Sequence, residues 1–262
     1  MDSFKSKQKQ SSNVLCHIPH SSTNIPLNEL SSFELHRDNL RNEVYRMADL
    51  LTEELYSPLH RRTSAHTATM SRLVLDVERF ADDYKEPMSK VGMGVVYTKT
   101  SSGKVLRRVT PQDKKRIIDE YFIPYHAALT KQVQSILKRH GTCLIIDCHS
   151  FSDKPRAYEP SQKTPRPDIC IGVDSHHTPK ILWENLALAF NLAGFTVRIN
   201  DPFAGSLVPF KYFRKNKKVH SIMVEVNRKL YMSEKTFAKK KQFKKISREI
   251  CDIISKALAD SK

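Results

Sequence analysis

The chain has 262 residues, 39% of them hydrophobic, and carries 44 Lys+Arg against 28 Asp+Glu for a net charge of +16. That length holds one sizeable core or two modest ones, and no window approaches the roughly 18 uncharged apolar residues that a membrane span needs. The positive excess narrows partners to anionic ones, whether small molecules, acidic proteins or nucleic acid, and says nothing about fold.

The N-terminus, MDSFKSKQKQSSN, is polar and lacks the apolar core of a signal peptide. Residues 1–12 read as a disordered leader and residues 13–262 as one domain, with a cytoplasmic location expected. The five cysteines, Cys16, Cys143, Cys148, Cys170 and Cys251, show no C-x-x-C spacing and read as reduced, buried thiols.

The first apolar run, residues 14–19, reads as a strand that ends at His20. Leu40, Val44, Met47, Leu51 and Leu55 recur every three or four positions, which predicts an amphipathic helix or helix pair over 33–56, ended by Ser57-Pro58. A second strand is expected at 73–77 in SRLVLDVERF, followed by a loop-rich stretch with a hairpin-like GVVYTKTSSGKVL. Thr110 as N-cap and Pro111 at the first helical position open a helix over 111–139, and Gly141 stops it.

The next apolar run, 143–148, ends at His149, and a Pro-rich loop follows over 153–167. A strand at 169–173, a helix at 179–193, a strand at 196–199 and an apolar run from Ser221 that ends at Glu225 come next, with a final helix from Ser233 onward. Helix and strand in short alternation is the pattern of a layered α/β sheet.

Three strand ends thus present His20, His149 and Glu225. Neutral imidazoles are good zinc ligands, and Asp147, two residues before His149 on the same strand face, is placed to fix its tautomer. Burial of Glu225 in an apolar strand would raise its pKa toward that of a general base, although Arg228 is near enough in sequence to be a simple ion-pair partner. Arg72 and Arg79 suit bidentate capture of a carboxylate, but at opposite ends of an extended strand they would not share one ligand. Taken singly, each histidine is equally compatible with a core or loop role, and His17 and His126 read as structural. The basic segments 211–218 and 235–245, with Phe213, Phe237 and Phe243 interleaved, read first as solvated faces and second as a nucleic-acid-binding stripe.

The ordered motifs IPHSSTNIP, DLLTEELY, SRLVLDVER, GVVYTKTSSGKVL, YFIPYHAAL, IDCHSFSD, NDPFAGSLVP and VEVNRKLYM, spread over residues 14–232, resemble the N-formylglutamate amidohydrolase family. The resemblance implies a three-layer α/β/α fold with a mixed, mostly parallel sheet of the phosphorylase/hydrolase type, related to zinc carboxypeptidases and aspartoacylases. It further implies a metal-dependent amidohydrolase, using zinc (Zn2+) or another divalent metal, that removes the N-formyl or another N-acyl group from a small anionic N-acyl amino acid such as N-formyl-L-glutamate, a reaction of histidine degradation.

Carried onto this chain, the family's pattern makes His20, Asp49 and His149 the metal ligands, with Asp38 as the alternative to Asp49. Glu225 becomes the catalytic glutamate, and Arg72, Arg79 and Asn227 the substrate-binding residues. Thr23 stands where carboxypeptidase relatives place a ligand glutamate, and Glu78 stands where family members commonly carry Asn. A deacylase or peptidase of the same fold with another substrate, and a non-catalytic nucleic-acid-binding protein on this scaffold, remain the alternatives. Oligomeric state is open.

Overall fold

A computed structural model of the chain describes residues 3–259. In chain order its strands are β1 (Phe4–Lys7), β2 (Val14–Ile18), β3 (Ser64–Ala68), β4 (Cys143–Phe151), β5 (Ile169–Gly172), β6 (Val197–Ile199) and β7 (Val219–Asn227). The helices are α1 (Leu27–Leu30), α2 (Arg37–Met47), α3 (Thr52–Leu55), α4 (Ser57–His60), α5 (Pro111–Ile117), α6 (Ile123–His140), α7 (Lys180–Leu192) and α8 (Phe243–Ala259). A π-helical turn, Ile118–Phe122, joins α5 to α6 so that they run on as one rod.

The strands form one seven-stranded sheet in the order β1-β3-β2-β4-β7-β5-β6. Its centre, β3-β2-β4-β7, is parallel, while β1 pairs antiparallel with β3 and β5 antiparallel with β7. Central parallel strands covered on both faces read as continuous apolar runs, which is why β2, β4 and β7 stand out in the sequence. On one face Cys16, Ile146, Cys148, Ile222 and Val224 pack with Leu186 and Phe190 of α7 and Ile250 and Ile254 of α8. On the other, Leu15, Cys143, Ile145 and Val219 pack with Tyr125, Leu129, Val133 and Ile136 of α6. The result is the three-layer α/β/α arrangement.

The two-residue period of a strand positions the site. Along β4, Cys143 and Ile145 fill the α6 side of the core, and the same face continues as Asp147 and then His149. Register brings His17 of β2 beside Asp147, and Glu225 of β7 beside His149.

Several elements differ from the sequence reading. Phe4–Lys7, expected to be disordered, is an edge strand: its backbone pairs with β3, and Phe4 stacks on His66 at 5.0 Å. An edge strand needs only backbone partners, so its side chains stay polar; Met1 and Asp2 lie outside the described residues. The strand β3 (SAHTA) was not foreseen because its residues are small or polar, yet all five are buried. Ser57-Pro58 opens α4 instead of closing a helix, with Pro58 in its first turn. The last helix begins only at Phe243; before it, Met232 bridges to Lys239 and Phe237 adopts a φ of 58°.

The largest difference is at residues 71–80, which form turns and not a strand. Val74 N–H donates to Ser71 O at 2.9 Å, and Arg79 N–H donates to Asp76 O at 3.3 Å. Arg107, fully buried, donates to the carbonyls of Leu73 and Val74, holding the segment folded. Leu73, Val74, Leu75 and Val77 are all buried, so an apolar run that is enclosed on every side imitates a strand in composition.

Candidate active site

Two buried histidines meet at the C-terminal side of the sheet, His20 two residues past the end of β2 and His149 within β4, with ring centroids 5.2 Å apart. Each has one nitrogen on a buried aspartate. His20 Nε2 lies 2.8 Å from Asp76 Oδ1, and His149 Nδ1 lies 3.1 Å from Asp49 Oδ2. Such contacts fix the ring and, in a neutral imidazole, leave the other nitrogen as a lone-pair donor. Those other nitrogens face one carboxylate: Glu78 Oε2 is 3.7 Å from His20 Nδ1 and 3.2 Å from His149 Nε2. Asp147 Oδ1 stands 3.1 Å from His149 Nε2 as well, and 2.8 Å from His17 Nδ1.

The donor set suits a divalent cation. His20 Nδ1 and Glu78 Oε1 are buried without a hydrogen-bond partner. The ligand atoms of His20, Glu78 and His149 lie within 4.8 Å of one another, as do those of His17, Glu78 and Asp147. Carboxylates also outnumber imidazoles here, and the consequence shows in their acidities. Burial works against a charge on His149, but the charges of Glu78 and Asp147 outweigh it and hold the imidazole protonated well above its ordinary range. Burial likewise opposes the charge of Asp49, yet the hydrogen bond from His149 and the charges of His20, His149 and Arg228 keep it below the usual carboxylate range. An excess of buried negative charge that draws a proton onto histidine is a place where a metal ion is the natural counter-charge.

Asp76 organises the turn. It accepts from Arg72 Nε at 3.1 Å and Nη2 at 2.6 Å, from Tyr97 Oη at 2.8 Å and from the Glu78 N–H at 3.0 Å. Burial alone would raise its pKa; the charges of Arg72, His20 and Arg79 instead hold it well below the usual range. Arg79 Nε, with no hydrogen-bond partner, lies 3.8 Å from Asp76 and 3.9 Å from Glu86. Arg72 and Arg79 therefore converge, because the segment between them is turned and not extended.

Glu225 sits beside His149 in the sheet, buried, with Oε2 unpartnered. Burial first, and then the charges of Asp49 and Glu78, push its carboxyl up to about 8 against the opposing pull of His149 and Arg228. Arg228 does not pair with it directly: its guanidinium donates to Asp49 at 3.2 Å and to the carbonyls of Ser150 at 3.1 Å and Arg46 at 3.2 Å.

A cavity of about 480 Å³ opens over these groups, lined among others by His20, Asp49, Arg72, Glu78, Arg79, His149 and Glu225. Two sequence candidates fall elsewhere. Asn227 is fully buried, donates to Asp153 Oδ1 and Pro167 O at 3.0 Å each, and does not line the cavity. There it ties the end of β7 to both ends of the Pro-rich loop. Asp38 is an exposed residue of α2, 3.9 Å from Arg41. Asp49 does reach the site, but its oxygens are engaged by His149, Arg228 and the Ser150 N–H at 3.2 Å. Asp76 was missed, Arg228 was considered only as an ion-pair partner of Glu225, and Glu78 was noticed only as a departure; the signal was the cluster Asp76, Glu78, Arg79 in four consecutive residues.

Fold and site define an α/β protein whose sheet carries, at the ends of its parallel strands, a buried histidine–carboxylate centre open to an arginine-lined cavity. A family model described as N-formylglutamate amidohydrolase matches residues 12–232, and the chain belongs to that family. It is 25% identical over 178 residues to the N-formylglutamate deformylase of Pseudomonas putida, and 25% identical over 179 residues to that of Pseudomonas aeruginosa. Each match spans 65% of this chain and 65% of the relative's length. The crystal structure of an N-formylglutamate amidohydrolase from Ralstonia eutropha superposes with a TM-score of 0.85 at 22% identity, covering 99% of this chain and 98% of that one. A solved structure from Agrobacterium tumefaciens gives 0.72 at 16% identity over 99% and 96%. These structures confirm the fold. Among the described residues no helix is long and apolar enough to cross a membrane.

Proposed function

We propose that the chain is a metal-dependent amidohydrolase that removes the N-formyl or another N-acyl group from a small anionic N-acyl amino acid, with N-formyl-L-glutamate the first substrate to test. One observation carries the reading: two buried imidazoles, each oriented by its own aspartate, turn their remaining nitrogens toward Glu78, and an unpaired glutamate stands beside them. Family membership and the relatives' names support the choice of reaction.

In this reading His20 through Nδ1, His149 through Nε2 and Glu78 would hold a divalent cation, zinc by the chemistry of the donors. When bound, such an ion polarises the amide carbonyl and lowers the pKa of a water to about 7. Asp76 and Asp49 keep the two rings in place, so Asp49 acts one step behind the ligand role expected from the motif. Glu225, ionised when a cation compensates its neighbours, takes the proton of the attacking water and returns it to the leaving amine nitrogen. Arg79, the guanidinium in the cavity with an unpartnered Nε, holds the substrate carboxylate, while Arg72 is fixed on Asp76 and shapes the wall beside it.

The nucleic-acid alternative rests on the Lys-rich segments, and the rings interleaved with them do not add to it. Of the aromatic residues among the basic segments, Phe213 stacks on His177, Phe237 packs edge-on to Tyr45 and Phe243 edge-on to Tyr231, at 5.8, 5.5 and 5.8 Å. Rings turned into the protein do not offer the stacking platform that single-stranded nucleic acid uses.

Elemental analysis on wild type, His149→Ala, Glu78→Gln and Asp49→Asn, with hydrolysis of N-formyl-L-glutamate and other N-acyl amino acids assayed on the same samples, tests the proposal. We expect about one zinc per chain in wild type, loss of metal in the first two variants, and retained metal with slower turnover in Asp49→Asn. Metal kept by Glu78→Gln and lost by Asp49→Asn would return Asp49 to the ligand set. No metal and no amide hydrolysis in any preparation would refute the function.

A further inference from the structure

The cavity has a second character that the chemistry above does not use. Phe80 directly follows Arg79, and Phe210 comes from the separate loop after β6; both line the cavity, and their rings meet at 6.1 Å. They are 43% and 49% exposed, among the largest apolar groups the protein leaves in solvent. Behind them His126 also lines the cavity, its ring 5.4 Å from Phe210 and 4.2 Å from Phe122. Nε2 of that imidazole donates to Val77 O at 2.9 Å, and burial lowers its pKa to about 4, so the ring is neutral and presents an uncharged face.

The volume leaves room for an aromatic ligand but does not by itself select one. At about 480 Å³ the cavity falls within the range typical of drug-sized ligands, roughly 300–1,000 Å³, and exceeds what the about twelve non-hydrogen atoms of N-formylglutamate would fill. A dicarboxylic substrate would leave two half-exposed phenylalanines uncovered beside it. Exposed rings that line a cavity, one of them adjacent in sequence to the arginine assigned above to the substrate carboxylate, are suited to an apolar, planar group carried on the same small molecule as that carboxylate.

We propose that Phe80 and Phe210, backed by His126, form an aromatic subsite, and that the preferred substrates are N-acyl amino acids bearing an aromatic side chain, with Arg79 on the carboxylate and the ring against the two phenylalanines. The inference rests on the amidohydrolase reading. It also gives the departure at Glu78 a context: an added negative charge in the centre suits a substrate with one carboxylate better than one with two.

The test is calorimetric binding of N-formyl-L-phenylalanine and N-formyl-L-glutamate to Glu225→Gln, alone and combined with Phe80→Ala and Phe210→Ala. The aromatic ligand should bind at least about tenfold more tightly, one decade being about 1.4 kcal/mol, and that ratio should fall toward one in the triple variant. Phe210→Leu, which keeps bulk without a ring, should retain only part of it. Equal or weaker binding of the aromatic ligand, a preference that survives loss of both rings, or binding of neither ligand would overturn the subsite. Hydrolysis of the two compounds by wild type, measured separately, judges the amidohydrolase reading, so the two failures are told apart.

Discussion

Replacement of Glu225 by Gln offers a quantitative check on the electrostatics of the site. The carboxyl is held up to about 8 in the folded protein against an ordinary 4.5, chiefly by burial. A raised carboxyl pKa means the fold binds the proton more tightly than the unfolded chain. The associated stability is full below the ordinary value and is lost as pH rises toward the folded one. At 1.36 kcal/mol per unit, the loss is about 2 kcal/mol near pH 6 and about 4 kcal/mol near pH 8. Glutamine does not ionise, so in chelator-stripped protein the variant should gain about 2 kcal/mol on wild type between those two pH values. For a chain of this size that widens the difference in Tm by about 5 °C, readable by calorimetry or thermal circular dichroism. Returning a divalent cation should flatten the dependence, since its charge favours the carboxylate. Melting curves that stay parallel across the range in stripped protein, or converge as pH rises, would refute the reasoning.

Asp76→Asn should destabilise by about 3–5 kcal/mol in urea titrations, because it takes from buried Arg72 its nearest counter-charge and leaves only Asp49, 3.8 Å away; as the carboxylate is held below its ordinary range, the difference from wild type should shrink as pH falls into the acid range. Arg79→Ala should raise KM by about 10–100-fold with little change in kcat for substrates that carry a carboxylate, and Arg79→Lys should recover part of the loss. Phe190→Ala, emptying a fully buried position between α7 and the sheet, should cost about 3–5 kcal/mol by chemical denaturation and leave metal content unchanged.

Much of the centre is written in the chain itself. Buried parallel strands are continuous apolar runs, and where such a run stops its next residues stand at the sheet's edge; this alone singles out His20, His149 and Glu225. Strand period then puts Asp147 and His149 on one face, and sheet pairing adds the register that sets Glu225 beside His149. The α5–α6 rod was legible from its cap: Thr110 and Asp113 exchange the reciprocal hydrogen bonds of a capping box.

Tertiary structure decided the rest. Residues 71–80 have the composition of a strand because burial on every side selects apolar residues whatever the backbone does, and only the carbonyls claimed by Arg107 and the bonds gathered by Asp76 make them a turn. That turn brings Arg72 and Arg79 together and swings Glu78 between two histidines from distant strands. The edge strand β1 and its inner neighbour β3 escaped notice because backbone pairing and contact with neighbours, not their own hydrophobicity, stabilise them. Which carboxylate faces the cavity-side nitrogens of both histidines, Glu78 or Asp49, depends on separations of a few ångströms between residues far apart in the chain. Local sequence determines which residues reach the sheet's edge, but the electrostatic field they share exists only once the chain has closed around them.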